Sequence, residues 1–173
     1  LELLIKHGVA HEADLANQLA AKEGFKKIPS TFEDNELIES AFKKTLEAMN
    51  YGAETIYTPT LFDGEFIGYP DFLIKSRDAS GKEIKDEKGR FVYDPVDAKS
   101  ARNEKRAAVL QVAAYAFAMQ KIGLPCPNKV HLWLANDKKW RTNASDVMDL
   151  GELFYVRTVE RIKRFQGLAN QDW

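Results

Sequence analysis

Residues 107–119, Ala-Ala-Val-Leu-Gln-Val-Ala-Ala-Tyr-Ala-Phe-Ala-Met, are apolar on every face of a helix. A helix with no hydrophilic face has to be buried all round. This run stops short of the ~18 apolar residues that a membrane span requires, and no other run in the chain approaches that length. The helix therefore belongs to the interior of a globular domain. With 173 residues the chain is long enough to build one, since a chain of this size buries roughly 70% of the surface its unfolded form exposes.

The sequence around this helix predicts its cover. Residues 1–22 read as a helix with Leu3, Leu4, Ala10, Leu15 and Leu19 as apolar positions and Gly24 as its stop. Residues 34–50 read as a second, running from a capping Asp34 through Leu37, Ile38, Phe42, Leu46 and Met49. Residues 54–62 alternate and are rich in β-formers, and Asp63-Gly64 turns them into a second strand. That strand runs from Glu65 towards Lys75 with a break at Gly68-Tyr69-Pro70. The polar stretch 76–90 reads as an exposed loop and 91–99 as a third strand. A helix at 103–122, a strand at 129–136 and a last helix at 145–166 follow. This order predicts an α/β fold, a mixed sheet flanked by helices. No repeat or linker interrupts residues 1–173, which read as one domain. The chain opens on Leu1 rather than methionine, so it is expected to be a piece of a longer protein.

Composition narrows the function. Hydrophobic residues at 45% and charged residues at 29% exclude an intrinsically disordered chain. The single cysteine, Cys126, excludes an internal disulfide and a four-thiolate zinc or iron–sulfur site. No signal-peptide pattern opens the sequence, and a cytoplasmic location is expected. The net charge of −1 advertises no global basic field. Locally, Glu33, Asp34, Glu36 and Glu39 form an acidic cluster. Lys99, Arg102, Lys105 and Arg106 form a basic stripe diluted only by Glu104. Such a stripe suits contact with phosphates at one site, although a solvated face uses the same residues.

Four short motifs carry chemistry. In Asp97-Ala98-Lys99 the acid and the base are two apart on a strand, so both point to one face. Burying that pair is costly unless a metal meets the carboxylate or a phosphate meets the lysine, and a strand end reaching water is the plainer alternative. In Gly68-Tyr69-Pro70-Asp71 an acid follows a strand break. Placed beside Asp97, it would form a like-charged pair that needs a cation between its members, and hard carboxylate oxygens favour Mg²⁺ or Mn²⁺. As a turn aspartate after proline, Asp71 would need no such role. Gln111 and Tyr115, four apart, share one face of the apolar helix and require partners there, for which a loop carbonyl would suffice. Finally, Gly8-Val9-Ala10-His11-Glu12 puts an imidazole on the first helix. His7 and His11 are also four apart, but with no further ligand nearby and Cys126 far along the chain they do not make a zinc site.

Taken in order, the helix histidine, Gly-Tyr-Pro-Asp, Asp-Ala-Lys and, twelve residues after the lysine, Gln-x-x-x-Tyr resemble the RecB-like branch of the PD-(D/E)XK nuclease superfamily. The pattern looks most like bacterial RecB-family nucleases and is similar to CRISPR-associated RecB-like nucleases; it extends from about His11 to the strand at 129–136. The resemblance implies a restriction-endonuclease-like α/β core. It implies a divalent metal held by His11, Asp71, Asp97 and the backbone carbonyl of Ala98. Lys99 would orient or activate the attacking water, Gln111 and Tyr115 would help position nucleic acid and the site, and Glu12 would support the histidine.

Two departures limit the transfer. Many relatives hold an iron–sulfur cluster on four cysteines, which this chain cannot do, so none is expected in this segment. Many are also fused to helicase domains, so a helicase or other domain in the longer protein is a partner to consider. The resulting expectation is a Mg²⁺- or Mn²⁺-dependent deoxyribonuclease, an exonuclease on single-stranded DNA or ends. Repair, recombination or CRISPR-type processing would be its setting, and Arg102, Lys105 and Arg106 would contact the strand. The competing expectations are a non-cleaving nucleic-acid-binding module with the same fold, and an unrelated α/β domain in which Asp71 and Asp97 lie far apart.

Overall fold

The computed structural model describes residues 2–32 and 34–169, with side chains from 10 to 167 except 33. The side chains of Leu3, Leu4 and His7, and Glu33 of the acidic cluster, lie outside the described residues. In chain order the elements are α1 (Glu2–Ala20), β1 (Phe25–Lys27), α2 (Ile38–Tyr51), β2 (Thr55–Tyr57), β3 (Leu61–Phe62), β4 (Ile67–Gly68), β5 (Phe72–Lys75), β6 (Tyr93–Lys99), α3 (Arg106–Ile122), β7 (Lys129–Leu134), β8 (Lys139–Asn143) and α4 (Ala144–Ala169).

Six strands make one mixed sheet in the order β1-β2-β5-β6-β7-β8. The central β6 pairs antiparallel with β5 and parallel with β7, and the parallel step is bridged by α3, as a crossover connection demands. The fold is thus α/β, a mixed sheet flanked by helices, consistent with a restriction-endonuclease-like core.

The two faces of the sheet carry different cores. On one, Ala16 of α1, with Leu15 and Leu19 beside it, packs on Phe72, Val96, Ala98 and Trp133. On the other, α2 and α3 cover Ile56, Leu73, Tyr93, Val130 and Leu132. The apolar helix is α3, buried at Ala108, Val112–Ala116, Ala118 and Met119. It lies between the sheet and α4, which is why it needs no polar face. Its small side chains let α4 come close: a Cβ added to Gly151 would sit 2.3 Å from the carbonyl oxygen of Ala113.

An alanine inside a helix usually stabilises relative to glycine by roughly 0.5–1 kcal/mol. Gly151→Ala should do the opposite, because backbone on the facing helix cannot step aside as a side chain can. The net loss is expected to be about 1–3 kcal/mol, read as a melting temperature lowered by roughly 2–4 °C per kcal/mol. A raised melting temperature would refute the close approach.

Several boundaries differ from the sequence reading. The strand expected over 54–62 is two strands, because Thr58 takes a left-handed φ of 52° and turns the chain. β3 and β4 form a separate two-stranded hairpin, and the break expected at Gly68-Tyr69-Pro70 falls at residues 69–71, with Gly68 still in β4. The helix expected from Asp34 begins at Ile38; Asp34 instead accepts a hydrogen bond from the Ser30 N–H at 2.9 Å. The expected loop 76–90 carries two isolated bridges, Arg77–Glu83 and Lys85–Phe91. Two edge strands, β1 and β8, escaped the sequence reading. Among the described residues no helix is long and apolar enough to cross a membrane.

Candidate active site

The register of the central strands assembles the site. Phe72 of β5 pairs with Val96 of β6, so one step further Asp71 comes opposite Asp97. Both side chains leave on the α3 face, while Ala98 between Asp97 and Lys99 packs towards α1. The carboxyl groups of Asp71 and Asp97 are within hydrogen-bond contact, and Asp71 Oδ2 also accepts the Ala98 N–H at 2.6 Å. The separation that an unrelated α/β domain would show is therefore absent.

The electrostatics of the pair are severe. Burial, then the Asp97 charge and the hydrogen bond between the two carboxyls, then the Glu12 charge, push the Asp71 carboxyl up to about 9, against the pull of the Ala98 N–H. Asp71 therefore holds a proton more tightly than an ordinary aspartate does. Asp97 Oδ2 lies 2.6 Å from Lys99 Nζ, with the Asp97 side chain 3% exposed and Lys99 34%. That contact is an ion pair without hydrogen-bond geometry, and this buried oxygen has no hydrogen-bond donor among the described residues.

Lys99 is held from the helix side. Its Nζ donates to Gln111 Oε1 at 3.4 Å, Gln111 Nε2 donates to the Tyr115 hydroxyl at 2.8 Å, and that hydroxyl donates to the Tyr69 carbonyl at 3.3 Å. The chain of bonds returns to the segment that carries Asp71. Burial, and behind it the Asp97 charge, raises the Tyr115 hydroxyl above its ordinary value, so it stays a donor.

The structure thus brings together Asp71, Asp97, Lys99, Gln111 and Tyr115. His11 is placed otherwise: its Nε2 lies 3.3 Å from the carbonyl of Trp133 on β7, the residue in register with Ala98. The acid beside it on α1, Glu12, is the one whose charge reaches Asp71. Arg102, Lys105 and Arg106 are exposed between the end of β6 and the start of α3. Glu104, the acid within that stripe, is paired with Lys138 at 3.5 Å.

Whether these residues suit a divalent cation can be judged from the pair itself. Two buried carboxyls in contact, whose charges oppose each other, form a donor set of hard oxygens that suits a Mg²⁺ or Mn²⁺. Among the described residues no cluster of three or more His, Cys, Asp or Glu ligands forms, so the side-chain part of the fit rests on Asp71 and Asp97.

Three features of the site carried no usable sequence signal. The Thr58 N–H bonds the Asp71 carbonyl at 2.9 Å, although threonine is not a residue that announces a left-handed turn. The Tyr69 carbonyl, which receives Tyr115, is a backbone group. Glu12 was marked only by its place after His11. No known family model matches the chain, and no curated protein matches it in sequence.

Proposed function

We propose that the chain is a divalent-metal-dependent nuclease that hydrolyses DNA phosphodiester bonds, acting as an exonuclease on single-stranded DNA or ends, in cytoplasmic repair, recombination or CRISPR-type processing. The observation that carries the reading is the buried contact of Asp71 with Asp97, with Lys99 ion-paired at its edge. A carboxylate pair that cannot be doubly charged on its own is a poor structural choice and a good cation site.

Hydrolysis joins a water oxygen to phosphorus and breaks the bond to a sugar oxygen, which leaves with a proton. A Mg²⁺ or Mn²⁺ held by Asp71 and Asp97, with the Ala98 carbonyl as the further ligand the resemblance implies, would activate water and neutralise phosphate charge when bound. Lys99 Nζ lies beside Asp97 and Gln111, where it would meet the charge that develops on the phosphate. Gln111 and Tyr115 fix that lysine through the chain of bonds ending at Tyr69, so its position is set before substrate arrives.

The test is a cleavage assay on labelled single-stranded, duplex and flap DNA with Mg²⁺ or Mn²⁺, stopped by EDTA. Strands bound but never cut by the wild-type protein would favour the non-cleaving module instead. The basic stripe adds a second measurement. Affinity for single-stranded DNA should fall with salt, and removing Arg102 and Arg106 together by alanine should lower the logarithmic slope by about 1.4, roughly 0.7 per lost phosphate contact. An unchanged slope would make the stripe a solvated face.

A further inference from the structure

Beside the carboxylate pair the surface opens into a cleft of about 230 Å³ whose lining includes Glu12, Phe32, Tyr69 and Asp71. Phe32 is 77% exposed, so its ring is open to solvent at the cleft. It meets the ring of Tyr69 edge-on, with centroids 5.2 Å apart. Tyr69 is itself anchored, its hydroxyl accepting a hydrogen bond from the Thr31 hydroxyl at 3.1 Å. Pro59 and Pro70 supply flat apolar walls.

The cleft and Asp71 share one scaffold. Thr58, a β-branched residue in a left-handed conformation, donates its N–H to the Asp71 carbonyl and its hydroxyl to the Ile28 carbonyl at 2.8 Å. Backbone strain of this kind persists only where the surroundings enforce it, and it concentrates at functional sites. The volume is below the ~300–1,000 Å³ of pockets that enclose drug-sized ligands. It accepts one flat ring system rather than a base pair.

We infer that this cleft is a stacking subsite for one unpaired base of the DNA strand whose phosphate lies at Asp71 and Asp97. The inference rests on the nuclease reading and locates the residues that would select an unpaired strand: a paired base cannot enter the cleft. Stacking on an aromatic face tolerates any base, so the subsite selects strandedness and not sequence.

The probe is a single-stranded oligodeoxynucleotide carrying 2-aminopurine near its end, titrated with full-length protein in EDTA so that no cleavage occurs. Wild-type protein should quench the fluorescence on binding, and the same strand annealed to its complement should not be quenched. Phe32→Ala, at an exposed position that the fold does not need, should lose most of the quench and bind the single strand roughly 5–150-fold more weakly, and Phe32→Trp should restore both. Unaltered quench and affinity in Phe32→Ala, equal quench of the duplex, or no binding by wild-type protein would overturn the subsite. Quenching by a wild-type protein that cuts nothing in the Mn²⁺ assay would uphold the subsite while removing the nuclease reading.

Discussion

Asp97→Asn is expected to lower Mn²⁺- or Mg²⁺-dependent cleavage of single-stranded DNA by about 10³-fold or more while leaving the fold in place. The amide keeps the size and shape of the carboxylate, so the packing of β6 between β5 and β7 is untouched. What disappears is the charge that would hold a cation and that now holds Lys99 at 2.6 Å. The lysine, 34% exposed, can turn to water without leaving a buried charge behind. Losing a single preorganised electrostatic contact typically lowers the rate by 10²–10³-fold, and loss of a metal ligand adds to it. EDTA should act on wild-type protein as the substitution does. Undiminished cleavage by a folded Asp97→Asn protein, checked by circular dichroism, would sink the nuclease proposal.

The largest effect on stability should come from pH acting on Asp71. Its carboxyl in the folded protein titrates far above its unfolded value of 3.8, so the folded state keeps a proton that the unfolded chain has lost. Stability is therefore fully present below about pH 4 as far as this group is concerned, and declines as pH rises towards about 9. One retained proton corresponds to about 1.4 kcal/mol per pH unit, or at most about 3–5 °C of melting temperature per unit for a chain of this length.

Thermal unfolding in EDTA from pH 5 to 8.5 measures it. Asp71→Asn, whose amide can donate to Asp97 without titrating, should flatten the profile and raise the melting temperature at pH 8. Mn²⁺ should do the same for wild-type protein by replacing the shared proton, releasing it as it binds. A pH profile unchanged by Asp71→Asn would mean that the two carboxyls do not share a buried site.

These expectations mark how far the sequence could be read. Asp97 with Lys99, and Gln111 with Tyr115, were legible because strand and helix periodicity put each couple on a common face, whereas Asp71 was marked only by its place after a strand break and by the resemblance. Their meeting was not a local matter. It follows from the register that puts Phe72 against Val96 and from the crossover that lays α3 over β6. His11 shows the limit: its helix was foreseen, but the direction of its imidazole, towards the Trp133 carbonyl, depends on how α1 rotates on the sheet.

The same division holds for the fold. By itself the sequence determined the buried helix, the hairpin at Asp63-Gly64 and the α/β order, because each depends on contacts within a few residues; the faces of the other helices were legible only in part, since Ala10 and Leu37, expected among the apolar positions, are exposed. Only the tertiary structure decided that Phe25–Lys27 and Lys139–Asn143 are strands, since short segments with exposed charges become β only when a neighbour offers its free edge. It also decided that Thr58 turns where its own preference is to extend. The raised titration of Asp71 was decided there too, because desolvation and a second carboxylate exist only once distant parts of the chain have packed.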